Sequence, residues 1–85
     1  MSTTPTVAIH DRFLDCLLQL PKSVSSRASD FVMKFRAAPE KQRTQLEKIQ
    51  GISDPRMFSA RVTDDYRAIV YRPQGEDVYL LLYLD

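Results

Sequence analysis

Two apolar stripes at helical spacing dominate the first half of the chain. The longer stripe recurs at positions i, i+4, i+7, i+8 and i+11, the spacing of one helix face. Its members are Val24, Ala28, Phe31, Val32 and Phe35. The shorter stripe consists of Phe13, Leu14, Leu17 and Leu18. Because Pro21 disfavours helical geometry at the residue before it, we expect two helices that form a hairpin, the first capped by Asp11 and the second by Ser23.

The second half of the chain alternates with a period of two, which is the spacing of strands. One strand is predicted from Met57 to Thr63 and another from Tyr66 to Arg72, with Asp64-Asp65 in the turn between them. A second turn covers residues 73–77. Seven consecutive apolar residues, from Val78 to Leu84, then predict a strand that is buried on both faces or central in its sheet.

The remaining segments are less regular. Residues 1–5 predict a frayed terminus, and residues 6–10 have room for a short first strand. Residues 40–50 are mostly polar, so we expect a short helix or a loop there, closed by Gly51 and followed by a turn at residues 53–55. The order of elements predicts an α+β fold, with the N-terminal helical hairpin packed on one face of a three- to four-stranded antiparallel sheet.

Composition narrows the class of protein. The length of 85 residues, 44% of them hydrophobic, fits one small domain spanning residues 1–85. Twelve Lys and Arg against eleven Asp and Glu give a net charge of +1, so an anion-binding site has to be local. Cys16 is the single cysteine, and we expect no disulfide, no metal and no cofactor. The sequence shows no membrane span and no signal peptide, so we expect a cytoplasmic protein without a membrane partner.

Arg61 and Arg67 are the main candidates for anion binding or catalysis. Guanidinium groups bind phosphate bidentately and stabilise charge at a phosphoryl centre. A two-residue loop at Asp64-Asp65 would place the arginines on opposite faces of the sheet. A three-residue loop that includes Thr63 would set Arg61 opposite Arg67, and we favour it because it keeps the residues that flank the loop on one face. The alternative is that Arg67 pairs with a nearby acid and only solubilises the sheet.

Other polar and aromatic residues are weaker candidates. Lys34 and Arg36 on the second predicted helix could contact nucleic-acid phosphate, although interspersed acids are typical of an ordinary solvated face. His10 fits a capping or surface role better than catalysis, and Cys16 fits a half-buried apolar position. Four tyrosines at strand spacing fit packing better than base stacking; they are Tyr66, Tyr71, Tyr79 and Tyr83.

Two stretches of the chain resemble the RelE/ParE toxin superfamily. The first runs from Phe13 to Pro21 and is followed by Arg27, Phe31 and Phe35, and the second runs from Phe58 to Tyr71. Superfamily members carry a leucine–proline junction between two helices, an arginine-bearing strand and an Asp-Tyr-Arg hairpin return. The resemblance implies their fold. From the members that cut messenger RNA, it also implies a phosphate-binding role for Arg67 and, less directly, for Arg61.

A second set of motifs is similar to the toxin-like N-terminal domains of UvrD/Rep-type superfamily 1 DNA helicases. The set comprises Glu47-Lys48-Ile49, Asp54-Pro55, Ser59 to Val62, Tyr66 to Val70 and Val78 to Asp85. In those helicases the last strand continues into a linker and the motor. Because the most buried predicted strand here ends at Asp85, we expect the chain to be the N-terminal fragment of a longer protein.

These resemblances imply three functions, of which we expect the first. In that function the chain would be an accessory or regulatory module of a DNA helicase that binds DNA, RNA or the downstream helicase domains without catalysis of its own, and the full-length protein would be an ATP-dependent helicase. Alternatively it is a RelE-type endoribonuclease toxin bound by an antitoxin-like protein, or a ParE-type gyrase inhibitor. As a ribonuclease it would be incomplete, since Ser59 stands where a family lysine often lies and the family's C-terminal tail has no counterpart.

Overall fold

A mixed β-sheet with helices against one of its faces forms the body of the protein. The computed structural model describes residues 6–42, 45–49, 54–73, 75 and 77–85, except for the side chain of Glu40. The strands are β1 (Thr6–Ile9), β2 (Glu47–Lys48), β3 (Met57–Arg61), β4 (Arg67–Tyr71) and β5 (Val78–Leu84). The helices are α1 (Asp11–Gln19), α2 (Lys22–Ala37) and α3 (Pro39–Gln42). The expectations for residues 1–5, Gly51, Ser53, Gln74 and Glu76 lie outside the described residues.

The α+β class is confirmed, but the sheet is larger than predicted and is not purely antiparallel. Its strand order is β1-β5-β4-β3-β2. β1 runs parallel to β5, whereas the other neighbouring pairs are antiparallel. The backbone N–H groups of Thr6 and His10 donate to the carbonyls of Asp77 and Leu81, at 3.0 and 2.9 Å. The chain passes through both long helices and the rest of the sheet before β5 comes alongside β1, and such a connection allows parallel pairing.

The segment after α2 contains both a helix and a strand. α2 ends at Ala37, and Pro39 begins α3, which suits a residue that lacks a backbone N–H. A short helix is therefore present at the start of residues 40–50, where a short helix or a loop was expected, but it ends at Gln42. The two-residue strand β2 was not predicted, because two residues are too few to show an alternating pattern. It pairs Glu47 with Ser59 and Lys48 with Phe58.

β5 is an interior strand, as the apolar run predicts. It lies between β1 and β4, with Tyr79, Leu81 and Leu84 buried and the other side chains of the strand half-buried. The core joins these residues to Ala68 and Val70 of β4 and to the helices, which contribute Phe13, Ala28 and Phe35. A β-bulge next to Ile69 and Val70 shifts the register between β4 and β5.

The apolar stripe of α2 faces the core as predicted, but the stripe of α1 is narrower. Phe35 is 1% exposed, and its ring meets Tyr79 edge-on with centroids 5.3 Å apart. In α1, Phe13 is buried and Leu17 packs against the core, whereas Leu14 and Leu18 are exposed. The sequence grouped these four residues together, but a helix turns about 100° per residue and carries adjacent residues away from the sheet.

Both predicted helix caps are wrong by one residue or more. α1 is capped by His10, whose Nδ1 accepts a hydrogen bond from the backbone N–H of Arg12 at 3.0 Å, and Asp11 is the first helical residue. The capping role considered for His10 is thereby confirmed. α2 begins at Lys22 after Pro21, which offers no side-chain acceptor, so Ser23 lies inside the first turn. The fixed φ of proline already sets the chain direction at this boundary.

Candidate anion-binding site

Residues 62–66 join β3 to β4, and a three-residue loop closed by hydrogen bonds to Tyr66 fixes the positions of the two candidate arginines. The backbone N–H groups of Val62 and Thr63 donate to the carbonyl of Tyr66, at 3.0 and 3.2 Å. The loop is therefore Thr63-Asp64-Asp65, and the register sets Arg61 opposite Arg67. The favoured register is confirmed, and the alternative with the arginines on opposite faces is wrong.

Arg67 has a second neighbour on its other side. Its backbone N–H donates to the carbonyl of Asp85 and its carbonyl accepts from the N–H of Asp85, both at 2.8 Å. Both polar backbone groups of Arg67 thus point away from β3, which makes Arg61 and Arg67 a non-hydrogen-bonded pair. In such pairs the Cα atoms are about 4.5 Å apart and the side chains come closest.

Directly opposed residues in a sheet project from the same face, and this places further polar groups beside the arginines. Glu47 lies opposite Ser59, which is two residues before Arg61 in β3 and so projects from the same face. We call Glu47, Ser59, Arg61, Arg67 and Asp85 the open-face cluster, because the core helices pack on the other face. A groove of about 400 Å³ is lined by Glu47, Ser59, Arg67 and Asp85, among others. A smaller recess adds Arg61 and Gln45 to the same surface.

The two guanidinium groups are available to a ligand. Both arginines are exposed, and within the described parts of the chain neither side chain makes a hydrogen bond or an ion pair. Pairing of Arg67 with Asp64 or Asp65 is therefore not seen. An ion pair elsewhere joins Arg56 to Asp54, with Nε 2.9 Å from Oδ1. The hydrogen bonds from the Arg56 side chain and backbone lower the pKa of the Asp54 carboxyl.

The structure separates the two candidates on the second helix. Lys34 lines a different groove, of about 340 Å³, which it shares with Arg27 and Arg61 between α2 and β3. Arg36 does not line that groove, since two residues further along a helix the side chain points about 200° away. Of the two, only Lys34 is brought to a surface that also carries an arginine of the open-face cluster.

The tyrosines and Cys16, which were weaker candidates, lie in or against the packed interior of the protein. Tyr79 is fully buried in the core, while Tyr66, Tyr71 and Tyr83 are half-buried, which fits the packing role. Cys16 is half-buried against the core. Among the described residues, no three His, Cys, Asp or Glu side chains come together in a way that could hold a metal ion. No described helix is long and apolar enough to cross a membrane.

Glu47, Asp85 and Gln45 are the site residues that sequence reasoning missed. Glu47 and Gln45 come from a polar segment that shows no periodicity. Asp85 follows an apolar run and is aligned with Arg67 only through the β-bulge register of β4 and β5. The sequence motif Glu47-Lys48-Ile49, part of the resemblance to helicase N-terminal domains, was the one feature that drew attention to Glu47.

Comparisons with known proteins give structural likenesses only. No protein-family model and no curated protein matches the chain. The archaeal RelE–RelB complex of Pyrococcus horikoshii OT3 contains a chain with 27% identity and a TM-score of 0.69, with 98% of this chain and 94% of that chain covered. A chain of the Mycobacterium tuberculosis RelBE2 complex gives 17% identity and a TM-score of 0.73, over 100% and 93% of the two chains. A chain of the Methanococcus jannaschii RelB–RelE complex gives 14% and 0.71, over 92% and 87%.

The protein therefore has a RelE-like fold, and these neighbours support its resemblance to the RelE/ParE superfamily. Nothing in the comparisons links it to UvrD/Rep-type helicase domains. Of the functions that the sequence implied, the comparisons favour the RelE-type toxin over the helicase module that we expected.

Proposed function

We propose that this protein is a RelE-type toxin that binds RNA through Arg61 and Arg67 and is neutralised by an antitoxin-like protein. The observation that carries the proposal is the direct opposition of two arginines without acidic partners among the described residues, on the open face of a RelE-like sheet. The structural neighbours come from RelE–RelB complexes, which supports an antitoxin-like partner for this chain.

The electrostatics of the pair favour an anionic ligand. Like charges directly opposite one another in a sheet are destabilising. A phosphate between the two guanidinium groups would relieve the repulsion and accept charge-assisted hydrogen bonds from both. The open-face cluster as a whole carries no net charge, since Glu47 and Asp85 balance the two arginines. The attraction for an anion therefore comes from the close approach of the two guanidinium groups themselves.

The carboxylates of Glu47 and Asp85 give the same surface a means of proton transfer. One carboxylate could accept the proton of an RNA 2′-hydroxyl while the 2′-oxygen attacks the adjacent phosphorus and the bond to the 5′-oxygen breaks. The arginines would stabilise the negative charge that develops on the phosphate oxygens. Water would protonate the departing 5′-oxygen.

Induced expression in a bacterial host tests the proposal. The wild-type protein should stop growth, and Arg67→Ala or Arg61→Ala should restore it, while Lys22→Ala on the far end of α2 should remain toxic. Primer extension on host messenger RNA should show new cleavage sites for wild type and for Lys22→Ala only.

Other outcomes contradict the proposal in distinct ways. Growth arrest that survives both arginine substitutions, together with inhibited supercoiling by purified gyrase, would favour a ParE-type inhibitor. Absence of toxicity in the wild type would reject the toxin proposal and favour a binding module without catalytic activity. An antitoxin-like partner is tested by co-expressing the product of the neighbouring gene, which should bind the chain and restore growth.

A further inference from the structure

A basic groove lies between α2 and the end of β3, on the other side of Arg61 from the open-face cluster. It has a volume of about 340 Å³ and is lined by Arg27, Phe31, Lys34, Gln42, Gln45 and Arg61, among others. We call it the α2 groove. The helical residues recur at i, i+4 and i+7, which places them along one face of α2.

The charges of the α2 groove are unbalanced. Among the described residues that line it, Arg27, Lys34 and Arg61 supply three positive charges against one negative charge from Asp30. In the described parts of the chain none of the three cations forms an ion pair. A surface with a net charge of about +2 in a protein that is otherwise almost neutral is suited to a polyanion.

The α2 groove also contains an aromatic side chain. Phe31 is half-buried, with its ring centroid 5.6 Å from that of Phe35, and it packs against the core while also lining the groove. An aromatic ring among cations is the combination that binds single-stranded nucleic acid, because bases stack on the ring while phosphates meet the charges. The amides of Gln42 and Gln45 can donate to and accept from the edges of an unpaired base.

We propose that the α2 groove binds single-stranded RNA, with one base stacked on Phe31 and neighbouring phosphates held by Arg27, Lys34 and Arg61. The choice of RNA as ligand rests on the proposed function. Arg61 lines both the α2 groove and the open-face recess, so one strand passes from Arg67 around the end of β3 and onto α2. The groove extends the bound segment and thereby positions the phosphate that lies between the two arginines.

A duplex does not satisfy the same groove. Its bases are paired and stacked on one another, so none is free to cover Phe31. Unpaired RNA exposes both the faces and the edges of its bases. The proposal therefore distinguishes single-stranded from double-stranded RNA rather than one sequence from another.

Fluorescence anisotropy with a labelled 2′-O-methyl oligouridylate of about eight nucleotides tests the proposal. This probe has no free 2′-hydroxyl, so binding is measured without cleavage. The double variant Arg27→Ala/Lys34→Ala should weaken binding about tenfold or more and make the slope of log affinity against log salt shallower by about 1.4, as two lost phosphate contacts require. Phe31→Leu should weaken binding about fivefold or more with the slope unchanged, because it removes the ring and no charge.

Matched controls separate these effects from misfolding. Lys22→Ala should leave the affinity and the salt slope unchanged, and circular dichroism should show that all variants keep the wild-type fold. Unlabelled duplex RNA should compete at least about tenfold more weakly than the single strand.

The proposal is overturned if the double variant keeps the wild-type salt slope, or if the duplex competes as well as the single strand. A protein that stops growth yet binds no oligouridylate would refute the α2 groove proposal and leave the toxin proposal standing. If the protein is not toxic but binds oligouridylate in a way that depends on Arg27 and Lys34, the toxin proposal is refuted and the α2 groove proposal stands.

Discussion

At the scale of single residues, one hydroxyl holds the loop that aligns the two site arginines. Thr63 Oγ1 accepts hydrogen bonds from the backbone N–H groups of Asp65 and Tyr66, at 3.3 and 3.2 Å. Thr63→Val keeps the shape of the side chain and removes the acceptor, so it should lower the free energy of unfolding by about 1 kcal/mol in urea denaturation. It should also weaken phosphate binding, because the register at Arg61 and Arg67 loosens. Thr63→Ser keeps the hydroxyl and should behave like wild type; equal loss in both variants would contradict this role.

Asp54 offers a residue-scale test of electrostatics away from the site. Its pKa is lowered from the ordinary value of 3.8, first by hydrogen bonds from the Arg56 side chain and then by the Arg56 backbone N–H. Arg56→Ala removes the larger cause and should raise the pKa of Asp54 towards 3.8, as followed by NMR titration of the carboxyl carbon. Since a lowered folded-state pKa stabilises the fold above the unfolded value, the pair's contribution is present at neutral pH and is lost as the pH falls below 3.8. An unchanged titration in Arg56→Ala would reject this account, and Arg12→Ala is the control.

At the scale of elements, α2 is held by the apolar residues of its stripe and not by apolar residues elsewhere on the helix. Phe35 is 1% exposed, whereas Met33 on the same helix is 65% exposed. Phe35→Ala should therefore lower the free energy of unfolding by about 3–5 kcal/mol, while Met33→Ala should change it by less than about 0.5 kcal/mol. Urea denaturation measures both. Similar losses in the two variants would mean that α2 does not present this face to the sheet.

The elements that sequence could predict are those whose signal is local. The stripe of α2 and the apolar run of β5 have enough residues to define a period, and both are where the pattern placed them. β2 has only two residues and carries no period, so the position of Glu47 could not be predicted. The pairing of Arg61 with Arg67 could be predicted from the sequence, because the length of one short loop determines the register. The position of Asp85 could not be predicted, since it depends on a β-bulge between β4 and β5 that no sequence pattern marks.

At the scale of the whole molecule, Arg61 connects two surfaces that lie on different sides of the sheet. Its neighbours are Arg67 and Glu47 on the open face and Lys34 and Arg27 along α2. Because the net charge of the protein is only +1, anion attraction has to come from a local group of cations such as this one. A ligand that follows both surfaces therefore has to be flexible and unpaired at the end of β3, which agrees with a single strand and not with a rigid duplex.

The parallel pairing of β1 with β5 joins the N-terminal segment to the edge of the sheet. Hydrogen exchange tests this pairing. β1 is an edge strand, and the N–H groups of Thr6 and His10 donate to β5. The alternation of a strand gives Ala8 the same direction, while the N–H groups of Val7 and Ile9 point away from the sheet. In two-dimensional NMR the amides of Thr6, Ala8 and His10 should exchange slowly and those of Val7 and Ile9 quickly. The amides of interior β4 should be slow throughout, because neighbours pair with it on both sides. If all amides of β1 exchange quickly while those of β4 are protected, then the sheet ends at β5 and β1 is not paired with it.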